Sequence, residues 1–271
     1  MWIDGGAMFR ALALLFYVSS GSAHVAAQPL EVDVEILLAV DVSGSMDLEE
    51  AQIQRSGYVE AIRHPDFISA IEGGMLGRIA IGYFEWAGSV NIQSVVNWQL
   101  IDDADDATEF AEKINKPATG SRRGTSLSNA ILFGSNSIES NVFSAARRIL
   151  DVSGDGPNNT GPPIAPIRDA ALERGIVING LAVLIRPSAS FVALDQYYKE
   201  CVIGGPGSFV LPVHEPEDFA IAIRQKLILE VSGWKPALLP RPAALEGKVD
   251  CLTGQVLQPG LMEQNIQPFD R

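Results

Sequence analysis

Three short segments of the chain carry oxygen-bearing side chains at spacings that suit a divalent cation. Asp41, Ser43 and Ser45 alternate directly after the apolar run 34–40, which reads as a buried parallel strand. Alternate residues of a turn that leaves a strand can direct their side chains at one point, and hard cations bind such clusters of oxygen atoms. Thr125 opens a helical pattern, and Asp155 follows the apolar run 149–152. Three such loops at matching ends of elements predict a single metal site.

The same residue types also have structural uses. Ser, Thr and Asp side chains accept hydrogen bonds from the free backbone N–H groups of turns and helix starts. An isolated D-x-S-x-S segment is more often a set of turn and capping residues than a metal site. The two further loops, which carry Thr125 and Asp155, favour the metal site over this structural alternative.

The pattern of the three loops resembles that of the von Willebrand factor A (VWA) domain, whose metal-ion-dependent adhesion site (MIDAS) joins a D-x-S-x-S loop, a Thr and an Asp. The resemblance extends from about residue 32 to about residue 231. Within that superfamily, segments 153–159 and 202–207 are similar to those of a secreted bacterial branch of unknown function (DUF1194-like). The resemblance therefore implies a fold and a metal site, and it implies no particular ligand.

The resemblance also implies a role for each site residue. Ser43, Ser45 and Thr125 are expected to bind Mg²⁺ or Mn²⁺ directly, and Asp41 and Asp155 are expected to hold metal-bound waters. Because the direct ligands would be neutral hydroxyls, the cation would keep much of its electrophilicity. An open coordination position would then favour an anionic oxygen, most simply an Asp or Glu carboxylate from a protein partner.

Two arginines precede the expected Thr ligand. Arg122 and Arg123 could attract an acidic residue of a partner towards the cation. Adjacent arginines on a loop are more often simply a solvated surface, so the sequence leaves their role open.

Strand and helix patterns alternate along the chain and predict an α/β fold: a doubly wound, mostly parallel sheet with helices on both faces. Strands are expected at about 34–41, 78–86, 93–101, 148–152, 176–185 and 208–211, and helices at about 47–64, 103–115, 127–138, 164–171, 191–202 and 219–231. Residues 87–89 are short enough for a hairpin, so one of the strands beside them is expected to be an antiparallel edge strand. Ligand sites of such sheets lie beyond the carboxyl ends of the strands, where the predicted metal site falls.

The chain divides into three expected parts. Residues 1–27 have the layout of a secretory signal peptide, with Arg10, the apolar run 11–18 and small residues before Gln28; Met8 is an alternative start to Met1. Residues 28–233 form the expected VWA-like domain, and residues 234–271 a Pro-rich tail expected to be extended or disordered. The protein is therefore expected to be exported, to the periplasm or out of the cell, with no membrane span after signal cleavage.

Charge and cysteine content narrow the expected partners and compartment. The formal net charge is −13, with a short acidic patch at residues 102–106. Such a surface should repel phosphate backbones, so nucleic acid is not an expected partner. The only cysteines are Cys201 and Cys251. They could form one disulfide in an oxidising compartment, or Cys201 could be a buried thiol and Cys251 a thiol in a loose tail.

The sequence favours a non-catalytic binding module over an enzyme. Beyond the expected signal peptide the histidines are His64 and His214, which show no H-E-x-x-H or other metal-ligand spacing. No G-x-S-x-G elbow is present, and residues 120–125 lack the Lys of a phosphate-binding loop. The leading hypothesis is an exported protein that captures a protein ligand through Mg²⁺ or Mn²⁺. Two alternatives stay open: an envelope structural or assembly factor with a vestigial metal site, and a metal-dependent phosphoester hydrolase.

Overall fold

The computed structural model describes residues 28–44, 48–116, 123–185, 194–233 and 249–256. The expected signal peptide, Ser45, Arg122 and most of the expected tail lie outside these ranges. Within the described residues, six strands form one sheet and two short strands pair separately. The strands are β1 (Leu30–Glu31), β2 (Val34–Asp41), β3 (Ile79–Trp86), β4 (Val90–Ile101), β5 (Phe143–Ser144), β6 (Arg147–Gly154), β7 (Ile176–Val183) and β8 (Val210–Val213).

The main sheet has the strand order β4-β3-β2-β6-β7-β8. Neighbouring strands are parallel except β3 and β4, which pair antiparallel across the hairpin at residues 87–89. This confirms the predicted α/β sheet with one antiparallel edge strand. The chain builds outward from β2 to β4 and then returns to the other side of β2 with β6. The carboxyl ends of β2 and β6 therefore meet at the topological switch point, where ligands bind in folds of this kind.

Burial on both faces explains the composition of the central strands. Every residue of β2 and β3 is buried, as largely apolar sequences predict for strands covered by helices on both sides. The apolar strand β7 likewise lies inside the sheet, between β6 and β8. The edge strand β4 is only partly buried.

Helices cover both faces of the sheet. They are α1 (Leu48–Arg63), α2 (Pro65–Glu72), α3 (Ala104–Ile114), α4 (Leu127–Ser140), α5 (Ile164–Glu173), α6 (Leu194–Tyr197), α7 (Phe219–Ser232) and α8 (Thr253–Val256). A π-helical turn, Tyr198–Val202, continues α6. One core cluster joins α1, α2, α3 and α7 to the sheet, and a second cluster joins α4, α5 and α6 to the opposite face. Among the described residues, no helix has the length and apolar character needed to cross a membrane.

Pro65 begins one helix and also limits another. The sequence predicted only that the first helix would end there, and α1 does end at Arg63. Pro65 then occupies the first position of α2, a helix that the sequence analysis did not predict. The fixed φ of proline suits this position, because the N–H that it lacks would have no helical partner. His64 Nδ1 caps the new helix by accepting a hydrogen bond from the Asp66 N–H at 3.2 Å.

A disulfide joins Cys201 in the π-helical turn to Cys251, with 5.5 Å between the Cα atoms. Of the two possibilities that the sequence left open, the bridge is the one observed. The segment 249–256, here called the C-terminal strap, packs on the domain: the Val249 N–H donates to Glu200 Oε2 at 2.9 Å, and Gln255 Nε2 donates to the Gly161 carbonyl at 3.0 Å. Part of the expected tail is therefore docked, and residues 234–248 and 257–271 lie outside the described ranges.

Candidate metal centre

The first loop of the candidate site places Asp41 and Ser43 at the carboxyl end of β2. Asp41 Oδ1 accepts a hydrogen bond from the Ser43 N–H at 2.7 Å, which turns the chain as it leaves the strand. Gln54 on α1 donates from Nε2 to the Asp41 carbonyl at 3.0 Å and anchors the same turn. Asp41 and Ser43 are both buried. Ser45, the third residue predicted for this loop, lies outside the described residues.

The second loop fixes Thr125 by its backbone, just before α4. The Thr125 N–H donates to Asn159 Oδ1 at 2.8 Å, and its carbonyl accepts from the Asn159 N–H at 2.9 Å. The Thr125 hydroxyl donates to Ser43 Oγ at 3.4 Å. Neighbouring oxygens in an octahedral magnesium site are about 3 Å apart, so the two hydroxyls lie close enough to share one ion.

The third loop brings Asp155 beside Asp41. Burial raises the pKa of Asp41 well above its usual range, and the nearby charge of Asp155 raises it further; hydrogen bonds from Ser43 and from the backbone of Asp155 oppose the rise. Asp155 itself is partly exposed. The structure therefore places two carboxyl groups of like charge next to each other, one inside the protein and one at its surface, where a cation would reduce their repulsion.

A buried oxygen without a partner tests whether the arrangement fits a cation. Asp41 Oδ2 is buried and has no hydrogen-bond partner in the part of the chain that the structure describes. Such an atom costs free energy unless a cation or a cation-bound water satisfies it. Gly154 leaves the space open, because a Cβ there would lie 2.9 Å from Asp41 Oδ2. Hydroxyl and carboxylate oxygens are the donors that hard divalent cations prefer, so the residues present fit such an ion.

The structure thus brings four of the five predicted residues to one place, and their assignment as metal ligands stays a prediction. The four are Asp41, Ser43, Thr125 and Asp155. Arg123, at the start of the second loop, is exposed, and its carbonyl accepts a hydrogen bond from the Gly88 N–H at 3.2 Å. Arg122 lies outside the described residues.

Two further residues at the site were not recognised from the sequence. Asn158 is buried, and its Oδ1 accepts hydrogen bonds from the Ser128 N–H at 3.0 Å and hydroxyl at 3.1 Å, which ties the third loop to α4. Tyr198 is fully buried with its hydroxyl near Gly154 and Asp41. The consecutive asparagines after Pro157 were a usable signal for the first. Tyr198 sits on an apolar helical stripe, and nothing in the sequence separates it from core residues.

An acidic cluster elsewhere on the chain has a structural explanation. Among the described residues, Asp102, Asp103 and Asp106 form a group of three carboxylates that lie close enough together to hold an ion. Asp103 caps α3, since its Oδ1 accepts from the Asp105 N–H at 2.8 Å and the Asp106 N–H at 2.9 Å. Capping accounts for acidic residues at a helix N-terminus without a metal.

A six-stranded, doubly wound sheet, with three oxygen-bearing loops at its switch point, defines a VWA-like domain. The chain belongs to the family described as "Protein of unknown function (DUF1194)", whose model matches residues 31–235. No curated protein sequence matches the chain.

Solved structures support the fold. Proximal thread matrix protein 1 from the mussel byssus, in a structure described as having a zinc-occupied MIDAS motif, has a TM-score of 0.55 at 15% identity, over 76% of this chain and 50% of that chain. The pilus adhesin SpaC from Lactobacillus rhamnosus GG has a TM-score of 0.54 at 11% identity, over 76% and 32%. A von Willebrand factor type A protein from Catenulispora acidiphila has a TM-score of 0.53 at 11% identity, over 74% and 43%. The chain thus spans half or less of the length of each.

Proposed function

We propose that the protein is an exported, non-catalytic binding module that captures a protein ligand through a divalent cation. The cation would be held by Asp41, Ser43, Ser45, Thr125 and Asp155. The observation that carries the proposal is the buried, unpartnered Asp41 Oδ2 beside two facing hydroxyls, those of Ser43 and Thr125. A role in the turn explains why Asp41 Oδ1 accepts a hydrogen bond from the Ser43 N–H. That role does not explain why the second carboxylate oxygen, Oδ2, is buried.

The donor set supports Mg²⁺ or Mn²⁺ as the ion. All predicted ligand atoms are oxygens, which suit hard cations, whereas resident zinc sites are usually built from Cys and His. The similar byssus protein is described with zinc in its MIDAS motif, which agrees with a site of this kind accepting a divalent ion. In this chain the bound ion would supply a Lewis acid, and the protein's hydroxyls and carboxylates would hold it.

A partner that offers an Asp or Glu carboxylate is the ligand class that this site would take. A cation held mainly by neutral hydroxyls retains affinity for an anionic oxygen. Exposed Arg123 adds positive charge at the start of the Thr125 loop. One of the similar structures is that of a pilus adhesin, which agrees with a role in protein capture.

Export is part of the proposal. The expected signal peptide lies outside the described residues. The disulfide between Cys201 and Cys251 supports an oxidising compartment, because such bridges form and persist in the periplasm or outside the cell.

The test is calorimetric titration of Mn²⁺ and Mg²⁺ into protein stripped with EDTA. We expect one saturable site, lost in Asp41→Asn and in Thr125→Val. Asp105→Asn and Thr108→Val, the same changes at exposed positions of α3, serve as matched controls that should bind as wild type. Bound Mn²⁺ should also raise the thermal midpoint by mass action.

The open coordination position can be tested with Mn²⁺ as a paramagnetic probe. Water bound to the ion should enhance proton relaxation, and millimolar acetate, a mimic of the Asp or Glu side chain, should reduce that enhancement by displacing the water. No saturable metal binding by wild type would refute the proposed function. Metal binding without an effect of acetate would refute the carboxylate ligand, and metal-dependent turnover of a phosphoester would replace the binding module with an enzyme.

A further inference from the structure

Tyr198 has a buried hydroxyl that no described residue satisfies. The residue is 0% exposed, and its Oη makes no hydrogen bond to residues 28–44, 48–116, 123–185, 194–233 or 249–256. A phenylalanine would fill the same volume without this cost, since a buried hydroxyl without a partner destabilises the folded state. An unpaired hydroxyl in a well-packed core therefore needs an explanation, and its neighbours provide one.

Gly154 lies beside both this hydroxyl and the unpartnered carboxylate oxygen of the metal site. A Cβ at Gly154 would lie 2.6 Å from Tyr198 Oη and 2.9 Å from Asp41 Oδ2. The two unpaired oxygens are thus close enough for one water molecule to bridge them. The Tyr198 hydroxyl can donate a hydrogen bond, and Asp41 Oδ2 can only accept, so a bridging water could satisfy both atoms.

The surroundings hold the Tyr198 ring in this place. Gly180 on β7 leaves room for it, because a Cβ there would lie 2.8 Å from the ring carbon Cδ1. The same π-helical turn carries Cys201, which the disulfide ties to the C-terminal strap. The preceding residue, Tyr197, accepts a hydrogen bond from the Asn158 N–H at 3.2 Å and donates to the Cys251 carbonyl at 3.4 Å. The turn is therefore fixed on both sides of the hydroxyl.

We propose that Tyr198 is a positioning residue of the metal site: its hydroxyl donates a hydrogen bond to a water molecule that in turn donates to Asp41 Oδ2, and this bridge holds the carboxylate in its metal-binding orientation. The inference rests on the proposed function and adds to it a residue outside the three loops. Groups that orient metal ligands or metal-bound water typically change metal affinity by 10- to 100-fold when they are removed.

Tyr198→Phe removes only the oxygen, and its effect should depend on the metal. Without metal, the thermal midpoint should change little, because the bridging water can still hydrogen-bond to Asp41 Oδ2 when the Tyr198 hydroxyl is gone. Calorimetric titration with Mn²⁺ should show affinity about tenfold weaker than wild type. A purely structural tyrosine would change the midpoint equally with and without Mn²⁺ and would leave the affinity unchanged.

Two other tyrosines provide matched controls. Tyr58 is equally buried, its hydroxyl makes no hydrogen bond of normal length to a described residue, and it packs in the core on the opposite face of the sheet. Tyr58→Phe should therefore leave Mn²⁺ affinity unchanged. Tyr197→Phe removes a paired hydroxyl and should lower the metal-free midpoint. If wild type binds Mn²⁺ and Tyr198→Phe binds it equally well, the inference is wrong and the proposed function stands. If wild type binds no metal, both the inference and the proposed function are wrong.

Discussion

At the residue scale, Asn158 is the connection between the third loop and α4. Its Oδ1 accepts from the Ser128 N–H and hydroxyl, and its Nδ2 donates to the Pro162 carbonyl at 3.0 Å. The first N–H groups of a helix have no partner within the helix, so a buried one needs an acceptor from elsewhere. Asn158 supplies that acceptor from the chain segment that also carries Asp155.

Asn158→Ala should lower the free energy of unfolding by about 1–3 kcal/mol, because it leaves the buried Ser128 N–H unpaired. Chemical denaturation monitored by circular dichroism would measure the loss. Asn136→Ala, at an exposed position of α4, is the matched control and should change stability by less than about 0.5 kcal/mol. Equal stability of Asn158→Ala and wild type would show that water or another group replaces the acceptor.

At the element scale, a buried charged cluster joins α7 to the sheet. Lys226 on α7 lies 2.5 Å from Asp151 Oδ1 on β6 and 2.6 Å from Glu230 Oε1. Asn179 on β7 donates to the same Glu230 oxygen at 2.9 Å, and the Tyr58 ring on α1 lies close enough for the Asp151 charge to affect its pKa. The carboxyl groups of Asp151 and Glu230 share the single Lys226 ammonium group inside the protein, so one of the two carboxyl groups favours its protonated form.

That carboxyl is Glu230. Burial, together with the Asp151 charge, raises the pKa of Glu230 to about 7, although Lys226 and Asn179 oppose the rise. The folded state then binds a proton that the unfolded chain releases near pH 4.5. Stability contributed by this group is present below pH 4.5 and is lost as the pH rises towards about 7.

Glu230→Gln should therefore remove part of the pH dependence of folding. Between pH 4.5 and 7 the wild-type free energy of unfolding should fall relative to the variant by about 3 kcal/mol. Glutamine keeps an oxygen acceptor for Asn179 and Lys226, so the packing of α7 should be retained. Urea denaturation of both proteins across this pH range is the measurement. Parallel stability profiles for the two proteins would contradict the assignment of the proton to Glu230.

At the scale of the whole molecule, the disulfide connects the C-terminal strap to the layer of helices beside the metal site. Its two cysteines are separated by 50 positions in the sequence. Closing a loop of this length is worth about 4 kcal/mol through the reduced entropy of the unfolded chain. The strap also contacts the third loop directly, through the hydrogen bond from Gln255 to Gly161.

Cys201→Ala combined with Cys251→Ala should lower the free energy of unfolding by about 4 kcal/mol. The backbone N–H groups of residues 158–161 should also exchange faster with deuterium, because the strap that covers them is no longer tied down. Adding dithiothreitol to wild type should reproduce both effects and should leave the double variant unchanged. Stability that is insensitive to the reductant would show that the bridge constrains little.

The sequence by itself determined the alternation of strands and helices and the single antiparallel edge strand. These are local or pairwise consequences of hydrophobic periodicity and of a three-residue hairpin connection. The VWA-like class followed from the resemblance of the three oxygen-bearing loops to those of a known family. The helix α2 was not predicted because Pro65 was interpreted only as the end of the preceding helix. Proline is also favourable at the first position of a helix, which is where Pro65 lies in α2.

Tertiary structure decided the rest. The convergence of Ser43 and Thr125, which are 82 positions apart, depends on the strand order that places β2 beside β6. The pairing of Cys201 with Cys251 and the position of the Tyr198 hydroxyl beside Asp41 depend on how the π-helical turn packs against the end of the sheet. A one-dimensional pattern reports which face of an element is apolar. It does not report which buried polar atom meets which, because that is set by packing between elements distant in sequence.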